Sequence, residues 1–392
     1  GTGLFAGLSI KGAAWIGAAV LTVGSAVGVA VATRDNSETV SPSIESQAEM
    51  RDNLERLLAL QQGPVIESGE SLKLLNPSAY PELQKALEGV VLRTESSMER
   101  DSIRYYLRRC DEQLVSILIL GNVIGGGTER SLQTWNLLPE SGKTLTFSDA
   151  TNEEQRDLKL VAQEWKRIHG NEKAPLLEGL QNKSDVRFSV GPDGFYFPAS
   201  TLSGLQEAVL PFSEYPGLLR EELQLREESY WEEIPFSFFH RQGYQLEKRL
   251  DGERILSLVV ESRKDREFPL IHIEMKLESG EILWKSEEEA KTSSVYPQSY
   301  IRFYYARIKQ GQEYLMISEN LAQKGERSLR ILKLEETEGV HWGTYPITVE
   351  NRRGCIIGTL KGFLAADSQG EDRLLEFQED GRLRSLSGRP LK

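Results

Sequence analysis

Residues 271–285 read IHIEMKLESGEILWK. Every second residue from 271 to 275 is apolar, which is the pattern of a β-strand with one buried face. A second strand-like run at 281–285 follows the residues ESG at 278–280, which favour a turn. The stretch therefore predicts an antiparallel β-hairpin.

Similar runs recur through the C-terminal part of the chain, with turn residues between them. Strands at this spacing predict an all-β antiparallel domain, built either as a sandwich or as part of a propeller. We place this β-rich domain at residues 228–392. Its other predicted strands are 300–308, 313–318, 328–334, 345–349 and 374–377.

The preceding region, residues 70–227, mixes helix and strand patterns. Apolar residues at helical spacing follow Pro81, and the apolar run LVSILIL at 114–120 predicts a buried strand. Helical spacing returns after residue 151, and a strand–turn–strand pattern covers 186–197. Helices mixed with strands in this way predict an α+β domain.

Residues 12–33 (GAAWIGAAVLTVGSAVGVAVAT) contain no charged side chain. A hydrocarbon core is spanned by about 20 apolar residues, so the N-terminal segment 1–33 is predicted to contain one transmembrane helix. The alternative interpretation is a signal peptide that is cleaved after AVA at 30–32. If residues 12–33 are a transmembrane helix, residues 34–69 are predicted to be a linker and a juxtamembrane helix.

Charge and composition exclude several functions. The chain has 392 residues, with 47 Lys and Arg against 59 Asp and Glu, so its net charge is −12. An acidic surface repels phosphate backbones, and we expect no nucleic-acid partner. Its two cysteines and four histidines are too few for a zinc ribbon or a disulfide framework. We predict no metal, no cofactor and no enzymatic activity, because no nucleophile–base pair or metal-ligand spacing is found.

Three smaller features leave alternatives open. Asp251 and Glu253 resemble the centre of a calcium loop, but basic residues flank them and a turn explains them better. His272 alternates with isoleucines, which places it on the solvent face of a strand. Cys110 and Cys355 lie in different predicted domains, and the sequence does not show whether they form a disulfide.

Six glutamates are concentrated between residues 221 and 233, and nearby arginines offset only part of their charge. One interpretation is a solvated surface without further role. The other is an acidic patch that attracts a cationic partner, such as a basic enzyme of the cell wall. The patch consists of Glu221, Glu222, Glu227, Glu228, Glu232 and Glu233.

Several motifs follow one another in an order that is typical of a known family. They are YPELQKAL at 80–87, QLVSI at 113–117, GGG at 125–127, WN at 135–136, SGKTLTFSD at 141–149, DGFYFP at 193–198 and VLPF at 209–212. With these motifs, residues 70–225 resemble the extracytoplasmic domain of RsiV-like anti-sigma factors. The same module precedes the catalytic domain of some peptidoglycan deacetylases of Gram-positive bacteria. The chain departs from the family at Thr128 and Glu129, where Ala-His is common.

The resemblance implies an α+β module outside the cytoplasmic membrane. The chain is then a single-pass protein of the cell membrane, inserted through residues 12–33, with residues 34–392 extracytoplasmic. We predict that it senses or binds a ligand in the bacterial cell envelope, in the manner of the outer domain of an anti-sigma factor. The alternative is a cell-wall-binding accessory module without catalysis. The expected partner is a cationic envelope protein or peptidoglycan.

Overall fold

A computed structural model describes a large part of the chain that follows the predicted membrane segment. The predicted transmembrane helix at 12–33 and the juxtamembrane residues up to 62 lie outside the described part. Within that part, no helix is both long enough and apolar enough to cross a membrane. The described residues are 63–126, 130–169, 186–201, 204–226, 229–235, 244–251, 253–263, 265–291, 301–308, 311–321, 326–348, 356–359, 362–366, 372–377 and 383–385.

These residues form mostly antiparallel β-sheet, with few helices. The helices are α1 (Pro81–Glu95), α2 (Phe147–Ala150) and α3 (Glu154–His169). The strands before residue 235 are β1 (Ile66–Glu67), β2 (Lys73–Leu74), β3 (Arg104–Cys110), β4 (Val115–Asn122), β5 (Arg130–Leu137), β6 (Ser189–Val190), β7 (Gly194–Thr201), β8 (Gly204–Pro211) and β9 (Tyr230–Ile234).

The strands after residue 235 follow one another without an intervening helix in the described residues. The all-β prediction for the C-terminal region is therefore confirmed where the structure describes it. These strands are β10 (Tyr244–Arg249), β11 (Arg254–Glu261), β12 (Leu270–Leu277), β13 (Ile282–Glu289), β14 (Ile301–Arg307), β15 (Glu313–Leu321), β16 (Glu326–Leu334), β17 (Gly339–Thr348), β18 (Ile356–Thr359), β19 (Gly362–Ala366), β20 (Asp372–Phe377) and β21 (Leu383–Ser385).

Five sheets are formed by these strands. Two of them have three strands each, β3-β4-β5 and β6-β7-β8, and a third has the order β10-β11-β12-β13. The fourth, β17-β16-β15-β14-β9, adds β9 to a run of four consecutive strands. The fifth, β2-β1-β18-β19-β20-β21, combines the two earliest described strands with the last four.

The hairpin predicted from residues 271–285 is confirmed as β12 and β13, which pair with Met275 opposite Trp284. Ile271, Ile273 and Met275 are buried, because their side chains all point to the same side of the strand. Helix α1 follows the predicted pattern too, since it buries Leu83, Leu87 and Val90 along one stripe.

Three hydrophobic clusters hold the sheets together. The first joins α1 and one face of β3–β5 to one face of the β14–β16 strands, and the second joins the opposite faces of these strands to β10–β13. The third packs α2 and α3 against β7 and β8, around Trp165 and Phe195.

The first two clusters contain residues from both sides of position 228, the predicted domain boundary. Residues 227 and 228 themselves lie outside the described part of the chain. The proposed domain boundary stays a prediction.

Candidate functional site

Strand β9 carries two consecutive glutamates that are both buried. Glu232 is 1% exposed and Glu233 is 0% exposed. Successive side chains of a strand point to opposite faces, so the two carboxylates lie on opposite sides of β9. β9 is also hydrogen-bonded to β14 along one edge. Buried carboxylates need cations or hydrogen-bond donors from the protein itself, and different residues supply them on the two sides.

On the first side, Lys248 of β10 forms an ion pair with Glu232. Its Nζ atom also lies 2.6 Å from Oδ2 of Asp193 and donates a hydrogen bond to the hydroxyl of Tyr196. The Tyr196 hydroxyl donates to Oδ1 of Asp193 over 2.8 Å. Lys248 is only 1% exposed, so all its charge compensation comes from these neighbours.

Arg108 of β3 also belongs to this group. Its Nη1 atom lies 4.0 Å from Glu232, and its Nη2 atom forms an ion pair with Glu207 of β8. The guanidinium carbon is 4.4 Å from the ring centroid of Tyr196, which is a cation–π contact. We call this group the Glu232 cluster; it comprises Arg108, Asp193, Tyr196, Glu207, Glu232 and Lys248.

The charged groups of the Glu232 cluster shift one another's pKa values. Burial raises the pKa of Glu232 to about 7, although the charge of Lys248 acts in the opposite direction. Burial by itself lowers the pKa of Lys248, but Asp193 and Glu232 outweigh it, and the pKa lies above its ordinary value. Lys248 is thus held in the ammonium form. That form lacks the lone pair that a nucleophile or general base requires.

On the second side of β9, Glu233 forms an ion pair with Arg302 of β14. Its Oε2 atom accepts hydrogen bonds from Ser68 Oγ at 3.2 Å and from the backbone N–H of Leu107 at 3.3 Å. Arg302 donates in turn to the backbone carbonyls of Ser68 and Tyr105. These residues, Ser68, Tyr105, Leu107, Glu233 and Arg302, are the Glu233 cluster. They connect β9 to β3 and to the turn between β1 and β2.

The structure separates the four glutamates of the predicted acidic patch that it describes. Glu221 and Glu222 are exposed in a single 3₁₀ turn, while Glu232 and Glu233 point into the protein and are neutralised there. Glu227 and Glu228 lie outside the described residues. The two buried members do not belong to an exposed patch, because β9 is covered on both faces. A partner-binding role for Glu221 and Glu222 stays a prediction.

The other residues noted in the sequence have identifiable surroundings. His272 lies between two carboxylates, with Nε2 3.0 Å from Glu261 and Nδ1 3.2 Å from Glu287, and it is partly buried rather than fully solvated. Asp251 accepts hydrogen bonds from the backbone N–H groups of Glu253 and Arg254, as in a turn. Within the described ranges, no three His, Cys, Asp or Glu side chains are grouped to hold a metal ion.

The cations of the Glu232 cluster are not predicted from the sequence, although the segment of β10 and the residue after it contain a signal for one of them. Leu246, Lys248 and Leu250 alternate with polar residues and are all buried. A lysine in the apolar register of a strand indicates a buried charge that needs a partner. The partner itself has no signature in the sequence, because Asp193 and Glu232 are distant along the chain.

Comparisons with known proteins assign no family. No protein-family model matches the chain, and no curated protein has significant sequence similarity to it. Its function is therefore inferred from its own residues.

Proposed function

We propose that the chain is a membrane-anchored, extracytoplasmic protein of the bacterial cell envelope that senses or binds a ligand and has no catalytic activity. Residues 12–33 insert into the membrane, and residues 70–227 form an RsiV-like α+β module. Binding of a ligand outside the membrane shifts the protein between two conformational states, and this conformational change is transmitted to the membrane anchor. A ligand shifts such an equilibrium only by its difference in affinity for the two states.

The pairing of β1 with β18 is the observation that supports this proposal most directly. Ile66 of β1 lies opposite Ile357 in a sheet that continues through β21. β1 is the first described strand after the proposed anchor. We infer that a change in the C-terminal sheet reaches β1, and that the chain before β1 passes this change on toward residues 12–33.

The buried charges connect strands of different sheets. In the Glu232 and Glu233 clusters, each cation is engaged with carboxylates or carbonyls of the chain itself. These groups contribute to holding six strands in place, which are β3, β7, β8, β9, β10 and β14. We infer that their role is to fix the relative position of the sheets.

Membrane flotation of the full chain tests the proposal. We expect the full chain to float with membranes in a density gradient and to resist extraction at alkaline pH. A variant that lacks residues 12–33 should remain in the soluble fraction, whereas a control that lacks the polar residues 34–43 should still float. Recovery of the full chain in the soluble fraction would contradict the proposal.

The soluble variant then distinguishes sensing from wall binding. Sedimentation with purified peptidoglycan would favour the cell-wall-binding alternative. If the variant stays in the supernatant and binds a basic envelope protein instead, the sensing role is favoured, with a salt-sensitive affinity because the attraction is electrostatic.

A further inference from the structure

Residues 63–76 form a hairpin that we call the N-terminal strap. It contains β1 and β2, and its side chains Val65, Ile66, Leu72 and Leu74 are buried in or beside the first hydrophobic cluster. β1 and β2 have two residues each, compared with eight each in β11 and β12. The strap therefore has few ladder hydrogen bonds, and side chains must supply much of its attachment.

Asn76 links the two ends of the strap to each other, whereas the Glu233 cluster attaches the strap to β9 and β14. The amide of Asn76 accepts a hydrogen bond from the Val65 N–H and donates one to the Gly63 carbonyl, both at 3.0 Å. Farther along, the Glu233 cluster holds Ser68 by its hydroxyl and its carbonyl. Gly69 has φ +134°, and a Cβ there would collide with the Arg302 guanidinium. Glycine at this position is thus what allows Arg302 to reach the strap.

Cys110 lies under the strap. Its thiol is 4% exposed and is 3.4 Å from the carbonyl oxygen of Pro64, within the same hydrophobic cluster as Ile66. Burial raises the pKa of this thiol well above its ordinary value. A docked strap thus keeps the thiol away from solvent, and a released strap exposes it.

We propose that the N-terminal strap is a releasable element, and that its docking depends on the Glu233–Arg302 pair of strands β9 and β14. Breaking the pair removes two of the strap's attachments at once, while the strands of the other sheets keep their own ladder hydrogen bonds. Local opening of weakly attached segments is a common property of folded proteins. The link to signalling rests on the proposed function, because only an anchored chain would transmit strap release to a membrane.

The reaction rate of Cys110 with a thiol reagent measures strap opening. The chain has two cysteines, so Cys355→Ser leaves Cys110 as the single thiol. In detergent-solubilised full chain, we expect Glu233→Gln to raise the labelling rate about tenfold, which corresponds to about 1.4 kcal/mol, because glutamine cannot form the ion pair with Arg302. Ser68→Ala should act in the same direction, because it removes the strap's side-chain hydrogen bond to Glu233.

Glu319→Gln is the matched control. Glu319 is also 0% exposed, pairs with Arg330 at 2.8 Å and accepts a backbone N–H bond from Lys291. It is on β15, and its hydrogen bonds within the described part of the chain go to these two residues and not to the strap. We expect this variant to label within twofold of the parent. Equal acceleration in both glutamine variants would mean that global unfolding exposes the thiol, and would overturn the proposal.

An unchanged rate in Glu233→Gln would overturn the proposal as well. If that variant does not fold, the rate in Ser68→Ala is the deciding measurement, and an unchanged rate there would also overturn the proposal. Labelling in detergent does not depend on where the protein resides, so failure of this test is distinct from failure of membrane flotation.

Discussion

Glu232 and Glu233 are neighbours in the chain, yet each is neutralised by residues from different parts of the sequence. Lys248 and Arg108 neutralise the charge of Glu232, and Arg302 neutralises that of Glu233. The local sequence YWEEI shows the density of charge but not the partners, and a surface interpretation follows from it naturally. The buried position of both glutamates depends on strand β9 being covered on both faces, which is a tertiary property.

Replacing Glu232 by Gln should change how stability depends on pH. The pKa of Glu232 is raised from 4.5 to about 7 in the folded protein. The folded state therefore binds a proton more tightly, and this contribution to stability is complete below pH 4.5 and is lost as the pH rises through 7. The parent should lose roughly 3 kcal/mol relative to Glu232→Gln across this interval.

Urea unfolding of both proteins at several pH values between 4 and 8 measures this difference. Other titrating groups, such as Glu233 and Glu319, remain in both proteins and cancel in the comparison. A difference in unfolding free energy that stays constant over the range, or that changes with the opposite sign, would contradict the assignment.

At the scale of elements, the sequence predicts long, regular segments well and short ones poorly. The hairpin of β12 and β13 is evident because its apolar residues alternate over several positions. Helix α1 is evident for a similar reason. β1 and β2 have two residues each, which is too few for any periodicity. The pairing of β1 with β18 is also non-local, so neither segment contains a sequence signal that predicts it.

A buried polar network joins the β3–β5 sheet to the β6–β8 sheet. The hydroxyl of Ser116 donates to Asn136 Oδ1 at 2.7 Å and accepts from the Val190 N–H at 2.9 Å, while Asn136 Nδ2 donates to the Phe188 carbonyl at 2.9 Å. Asn136→Ala removes one partner from several buried groups. We expect it to lower the free energy of unfolding by about 2–3 kcal/mol.

Thr134→Ala provides the comparison, because Thr134 is half-buried on the same strand. This substitution should lower the free energy of unfolding by less than about 1 kcal/mol. Equal losses in the two variants would show that the network contributes little beyond the volume of its side chains.

At the scale of the whole molecule, the second hydrophobic cluster links regions that the sequence places in different domains. Leu118 and Leu120 of β4 share it with Leu256 of β11 and Phe303 of β14. A shared core couples the unfolding of the elements that form it. We expect a single calorimetric transition for residues 70–334. Two resolved transitions would instead indicate that the regions on either side of residue 228 unfold independently.

Labelling of an exposed cysteine on intact cells tests the central proposal most directly. Lys85 on α1 has a side chain that is 69% exposed, so Lys85→Cys in a Cys110→Ser, Cys355→Ser background provides one accessible thiol. Leu87→Cys, at a buried position of the same helix, is the matched control and should not label. A membrane-impermeant maleimide should label Lys85→Cys equally in intact and lysed cells if the chain is extracytoplasmic. Labelling that occurs only after lysis would contradict that location.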